Sequence, residues 1–363
     1  MTQKIRVLEV SGSYYDMGYA HGRAYHDEIH HYATERVHLV CEGKWSGRQE
    51  LSRDEVLALA RECLPAHREF CPDLMEEIDG MAAATNLSPE ELLIVSGFTD
   101  FVDTVYNTYR QKRETARLPI DDCTAFIVPD STAAGAGFFG QTWDMHDTAT
   151  EFVILLHAKP ENDHEAMVFT TTGCVGQIGM NSAGVCVGIN NLLGADGQIG
   201  VMWPFVVRKM LQTNTADEAL QCLLSAPLAG AHNYLIFDKS GTGYNVEAMS
   251  TGHHIIPLND VPISHTNHCV ISDMEALAQV RPADSQASSE ARLGIADDYL
   301  AKRPLEIDDL IALTRADVVC THSKAPYHIE SCGAAIMRPQ TNEFWAVWGL
   351  PSENEYERFT VGS

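Results

Sequence analysis

The chain is poor in positive charge. Lysine and arginine number 25 against 50 aspartates and glutamates, a net charge of -25 over 363 residues. So much like charge is repelled by phosphate backbones and anionic lipid, which argues against nucleic-acid and anionic-membrane partners. Long apolar runs are missing as well: no stretch nears the roughly 20 residues that span a bilayer. Met1 to Val10 mixes polar and apolar residues, so no secretory leader is expected. The ten cysteines (41, 63, 71, 123, 174, 186, 222, 269, 320, 332) include no C-x-x-C, which leaves neither a zinc nor a thioredoxin-type spacing. Several sit among apolar residues, as Cys186 does in Gly-Val-Cys-Val-Gly, and most read as small buried hydrophobes with reduced thiols. A cytoplasmic location is expected on that basis. His265 and His268 have an i, i+3 spacing that suits a metal only on a helix, and no third ligand follows nearby. No metal and no cofactor is expected, and there are no repeats or low-complexity tracts.

What the chain does contain is enough apolar residue, 45%, to bury one large core or two. The first third reads as mostly helical. A short strand over Ile5–Val10 is followed by a helix capped by Asp16 and running to about Cys41, its glycines allowing close packing on a neighbour. Capping boxes at Ser52-Arg53-Asp54-Glu55 and Ser88-Pro89-Glu90-Glu91 open helices to about Cys63 and towards Thr108. Arg110 to Arg117 reads as an exposed linker. The pattern then changes to strands over 136–143, 152–157 and 167–172, and a hairpin within 173–191 turning at Asn181-Ser182-Ala183-Gly184. Helices return at 201–212 and from the box Thr215-Ala216-Asp217-Glu218 to Leu224. A hairpin over 233–249, a short strand at 255–257, helices at 288–301 and 307–314, and strands at 332–338 and 344–349 complete the pattern. This is not the βαβ alternation of a parallel sheet. An α+β fold of two stacked antiparallel sheets with helices outside fits better.

The change of pattern falls at Asp121-Asp122-Cys123-Thr124-Ala125-Phe126-Ile127-Val128-Pro129, where a polar approach meets a cysteine that opens a buried strand. A cysteine in that place is usually core. Six segments taken together change the reading: Gly12-Ser13-Tyr14-Tyr15-Asp16-Met17-Gly18-Tyr19-Ala20-His21-Gly22, Asp122-Cys123-Thr124, Gly140-Gln141-Thr142-Trp143-Asp144, Gly179-Met180-Asn181-Ser182-Ala183-Gly184, His265-Thr266-Asn267-His268-Cys269 and Glu353-Asn354-Glu355-Tyr356. In this order and spacing, over nearly the whole chain, the sequence resembles the acyl-coenzyme A:isopenicillin N acyltransferase family (peptidase family C45) of the N-terminal nucleophile hydrolases. It is also similar to carcinine hydrolases.

The resemblance implies an αββα sandwich and self-cleavage before Cys123. It implies a mostly helical small subunit, 1–122, and a catalytic large subunit, 123–363. It implies Cys123 as nucleophile, Asn267 at the oxyanion site and Asp144 supporting the cysteine or its processing, with Asp122 and Cys123 as the processing pair and Asp121 as a further assistant. A backbone N–H near Met145 or His146 is the expected second oxyanion donor. The chemistry is coherent. A free thiol is mostly protonated at neutral pH and needs a base; cleavage before Cys123 would supply one in its own α-amine, whose ordinary pKa is about 7.7–8.0. The acyl-enzyme would pass to water or to an amine, so hydrolysis and acyl transfer share one mechanism.

Some positions depart from the family pattern. Thr321 stands where the penicillin-forming enzymes carry an arginine near the nucleophile, with His322 and Lys324 as candidate substitutes; Thr321 and His322 are candidate oxyanion or substrate contacts, and Asp122 stands where a glycine is common. The expectation is therefore hydrolysis of a small N-acyl amine or amino-acid amide, with acyl transfer from a thioester or amide donor as the alternative. Two further readings stay open. One is an uncleaved Cys-His hydrolase using His146, His265 or His268 as base; the other is a silent homologue acting as a binding module. His21 reads as a packing residue, Asn181 and Ser182 as turn formers, and Glu353 and Glu355 as a solvated tail. The expected partners are a small acyl amine or amide and the small subunit, with homo-oligomerisation left open.

Overall fold

The computed structural model of the protein describes residues 3–109 and 122–362. Asp121 and the segment Arg110–Arg117 lie outside the described residues. The N-terminal part holds β1 (Val7–Gly12) and six helices, α1 (Tyr14–Ala24), α2 (His26–Cys41), α3 (Arg53–Phe70), α4 (Pro72–Thr85), α5 (Pro89–Ser96) and α6 (Phe98–Thr108). Ser13, not Asp16, caps α1: its Oγ accepts from the Asp16 backbone amide. The helix expected to run unbroken to Cys41 is interrupted at Tyr25, where φ is -127°. Both serine capping boxes form, with reciprocal bonds to Glu55 and Glu91. Two helices end away from their expected places. The helix α3 runs through Pro65 to Phe70, and the one opened by Ser88 stops at Ser96, because Gly97 turns the chain before α6. The helix α4 was not anticipated. It packs on α1 through glycine: a Cβ at Gly18 would lie 1.8 Å from Glu77 O, and one at Gly80 2.1 Å from Tyr15 O.

Beyond residue 121 come β2 (Asp122–Val128), β3 (Phe138–His146), β4 (Val153–Pro160), β5 (Ala166–Thr171), β6 (Ile178–Asn181) and β7 (Val185–Asn191). Next are α7 (Trp203–Met210) and α8 (Ala216–Ser225), then β8 (His232–Asp238), β9 (Gly243–Ala248), β10 (His253–Pro257) and β11 (Ile263–His265). The chain ends with α9 (Ser272–Glu275), α10 (Ala283–Leu300), α11 (Ile307–Arg315), β12 (Ile329–Arg338), β13 (Glu343–Trp348) and β14 (Glu357–Thr360).

The strands form two sheets, of order β1-β4-β5-β6-β7-β8-β9-β10 and β11-β2-β3-β12-β13-β14. The expected all-antiparallel pairing is corrected at one edge, where β1 runs parallel to β4. That strand comes from the mostly helical N-terminal part, so the two parts of the chain share a sheet.

Alternation along β2 and β3 explains the layering. Ala125, Ile127 and Phe139 face inward and share a core with Val187 and Leu235 of the larger sheet. Phe126, Val128 and Phe138 face outward, under Ala296, Leu300, Leu310 and Leu313 of α10 and α11. A polar tie crosses between the sheets: Gln141 Nε2 donates to Ile189 O at 2.5 Å and its Oε1 accepts from Ile189 N at 2.9 Å. Gly188 makes room for it, since a Cβ there would stand 2.3 Å from Gln141 Oε1.

Candidate active site

Cys123 is the second residue of β2 and fully buried. Opposite it on β3 is Trp143, and opposite Asp122 is Asp144. On the other side β2 pairs with β11 in a short ladder, His265 opposite Ala125, which delivers Asn267 to the end of the strand. The Cys123 backbone amide donates to Asn267 Oδ1 at 2.7 Å. The Thr124 amide points the other way, to Thr142 Oγ1 on β3 at 3.1 Å. Backbone groups alternate along a strand, so the Asp122 carbonyl, the one that Cys123 Sγ would attack, lies on the β3 side.

Asn267 is itself held from several directions. Its amide donates to Ser289 Oγ at 2.9 Å, and its carbonyl accepts from Arg281 Nη1 at 2.6 Å. Its Oδ1 also accepts from Arg292 Nη2 at 3.0 Å, and its Nδ2 donates to Asn191 O at 3.3 Å. Two donors on Oδ1 fix which way the amide faces. The side chain anticipated as an oxyanion donor thus presents its oxygen to the nitrogen of Cys123.

Asp144 is fully buried. Its Oδ1 accepts from Ser331 Oγ at 2.6 Å and its Oδ2 from Thr321 Oγ1 at 3.3 Å. Burial pushes its carboxyl up to about 7, against the opposing pull of the nearby Arg292 guanidinium and the Ser331 hydroxyl. A group with that pKa holds and gives up a proton near neutral pH. Thr321, anticipated as a substrate contact, is placed beside Asp144.

The remaining anticipated residues divide. Thr321 and His322 line a cavity of about 790 Å³ that reaches Asp122 and also takes in Ser288, Lys324 and Tyr327. The amides of Met145 and His146 separate by parity. The Asp147 amide donates to His328 O at 2.8 Å, which turns that of Met145 towards β12 and that of His146 towards the β2 side. The His146 ring is buried edge-on against Trp45, with Nδ1 3.1 Å from Arg36 Nη1; burial and the Arg36 charge hold its pKa well below the ordinary range. His265 spends both ring nitrogens on Glu247 Oε1 and Thr266 O, and His268 Nδ1 meets Ser289 Oγ at 2.7 Å. These two histidines brace the loop that carries Asn267.

Arg292 was missed in the sequence, and it is the residue that ties the site together. From α10 its Nη1 donates to Cys123 O at 2.5 Å and to Thr124 Oγ1 at 3.2 Å, and its Nη2 donates to Asp122 Oδ1 at 2.8 Å. Arg281 Nη2 lies 3.6 Å from the same carboxylate oxygen. An arginine does stand by Cys123, then, but not from position 321. The available signal was the helix face itself: Ser285, Ser289, Arg292 and Ala296 recur at helical spacing and are all buried, and an arginine aligned with small residues marks a guanidinium turned inward.

Comparison with known proteins gives three findings. Residues 131–306 match the family described as AAT, acyl-coenzyme A:6-aminopenicillanic acid acyl-transferase. A relative in Emericella nidulans, the 40 kDa form of acyl-coenzyme A:6-aminopenicillanic-acid acyltransferase, is 25% identical over 284 residues, 77% of this chain and 73% of the relative. Among solved structures, a variant of conjugated bile acid hydrolase from Clostridium perfringens is 10% identical over 66% of this chain and 97% of its own, with a TM-score of 0.44. Penicillin V acylase from Agrobacterium tumefaciens is 12% identical over 67% of this chain and 80% of its own, with a TM-score of 0.33.

Proposed function

We propose that the chain, which is similar to the acyl-coenzyme A:6-aminopenicillanic acid acyl-transferase family over residues 131–306 and to the Emericella acyltransferase, is a cysteine amidohydrolase that activates itself by cleavage before Cys123. Its substrate would be a small N-acyl amine or amino-acid amide. The observation that carries the reading is the convergence on one peptide bond. Asn267 accepts from the Cys123 nitrogen, Arg292 binds the Asp122 side chain and the Cys123 carbonyl, and Asp144 stands opposite Asp122.

In processing, Cys123 Sγ passes its proton to the ionised share of Asp144 and adds to the Asp122 carbonyl carbon. The C–N bond breaks, and the nitrogen takes a proton to become an α-amine. The protonated share of Asp144 is the nearby source. Water then adds to the thioester, releasing 1–122 with a new terminal carboxylate and returning the thiol on 123–363. Asp122 or Asp121 would assist that step. In turnover the α-amine takes the thiol proton, the thiolate adds to the substrate acyl carbon, and the protonated amine departs. Water then frees the acid. Where an amine replaces water the same enzyme is an acyltransferase, the activity named for the Emericella relative. Asn267 and the His146 amide on the β2 side are the proposed donors to the developing oxyanion.

N-terminal sequencing of purified, active protein is expected to give a large fragment beginning at Cys123. Cys123→Ala should give one intact chain without amidase activity. An intact wild-type chain that turns over amide, or a Cys123→Ala chain that still splits, overturns the reading.

A further inference from the structure

Asp122 occupies a place that its own chemistry would vacate. Its carboxylate sits between two guanidiniums, 2.8 Å from Arg292 Nη2 and 3.6 Å from Arg281 Nη2, and both side chains are nearly or fully buried. Arg292 arrives from α10 and Arg281 from the segment just before it, and both also fasten Asn267. The 790 Å³ cavity opens onto Asp122. During processing Asp122 is the acyl group on Cys123 Sγ. In any later cycle the acyl group of a substrate takes the same bond to the same sulfur. When 1–122 ends at a free Asp122, the carboxylate between the arginines is replaceable, and the cavity reaches the place it leaves.

We propose that Arg281 and Arg292 form an acyl-side carboxylate subsite for which Asp122 is the built-in occupant, so that the mature enzyme selects acyl groups bearing a carboxylate at the distance found in an aspartyl or succinyl chain. The inference rests on the cleavage reading above and adds the substrate class to it. The spacing follows from covalent structure: in aspartate the side-chain carboxylate is separated from the reacting carbonyl by two carbons, as it is in a succinyl group. A neutral acyl group of the same length leaves two buried cations facing an apolar end, which is unfavourable. The reaction is unchanged. The thiolate adds to the succinyl carbonyl, the C–N bond breaks with the proton going to the amine, and water returns the thiol with succinate as product.

The test uses the full chain after processing, with N-succinyl and N-butyryl para-nitroanilides, which match in carbon count, and free succinate as inhibitor. The succinyl compound is expected to show kcat/KM at least about tenfold higher, the scale set by charge-assisted hydrogen bonds, and succinate is expected to compete. Arg281→Gln should bring the ratio of the two substrates towards one. A role only in supporting the fold would lower both rates together and leave the ratio unchanged. Should that variant fail to fold, the wild-type ratio and the succinate inhibition still decide. A chain cleaved at Cys123 that takes butyryl as readily as succinyl overturns the subsite alone. Absence of the cut, read from the same gel, overturns the cleavage reading and the subsite with it.

Discussion

Replacing Asp144 by asparagine should remove a pH dependence from the stability of the protein. The comparison belongs in a Cys123→Ala background, where parent and variant are both expected to stay intact. Burial holds the Asp144 carboxyl at about 7 against an ordinary 3.8, a difference of about 4 kcal/mol between its two protonation states. The sign follows from proton counts. Between about pH 4 and 7 the folded state keeps a proton on Asp144 that the unfolded chain has lost, so stability falls as pH rises through that window and levels off above it. About 3 kcal/mol of the effect lies between pH 5 and 8. Asparagine carries no titrating proton and still offers an oxygen to Ser331 Oγ. The variant should therefore gain on its parent by about 3 kcal/mol from pH 5 to pH 8. With about 2.1 cal/mol/K of unfolding entropy per residue, that is about 4 °C in Tm. Scanning calorimetry at the two pH values measures the difference directly. An offset in Tm that is the same at both, or that shrinks at pH 8, refutes the argument that burial dominates the charge on Asp144.

Asn267→Ala removes the acceptor for the Cys123 amide and a proposed oxyanion donor, so kcat should fall about 100-fold or more, the scale of one lost donor in such sites, with an unchanged circular dichroism spectrum. An unchanged rate would remove Asn267 from the chemistry. Glu77→Gln leaves Arg208 buried without the carboxylate that its Nη1 meets at 3.2 Å. Breaking a buried pair costs about 3–5 kcal/mol, so Tm should drop by about 4–7 °C; a drop under about 1 °C would mean that other groups satisfy Arg208.

The parts of the fold that were legible in the sequence are those governed by local chemistry. Ser52 and Ser88 announced helix starts because each has a glutamate three residues on, and both boxes form. The run from Thr124 to Val128 announced a strand buried on both faces, and it is one. The turn at Asn181–Gly184 follows from Gly184, whose φ is +86°. What was not legible depends on groups distant in sequence. The break at Tyr25 has no glycine or proline to mark it. The pairing of β1 with β4 joins residues about 150 apart. In the candidate site, Cys123, Asp144 and Asn267 came from segments matched to a family, and the structure brings Asp144 and Asn267 to the two sides of the bond before Cys123. Arg292 escaped because its one local trace, alignment with the small residues Ser285, Ser289 and Ala296 on a face of α10, is faint; the partners that define it lie 168–170 residues away.

The parallel edge strand has a consequence for the life of the molecule. β1 and the helices after it are threaded into the same sheet and core as the residues beyond the proposed cut, so nicking the backbone would free a chain end without releasing a piece. Before the cut, reassembly after unfolding is a first-order event within one chain. After it, the two fragments must find each other by diffusion, and recovery would depend on concentration. Maturation would thus be a ratchet: the scaffold is assembled once, while the polypeptide is continuous, and afterwards persists because it rarely comes apart.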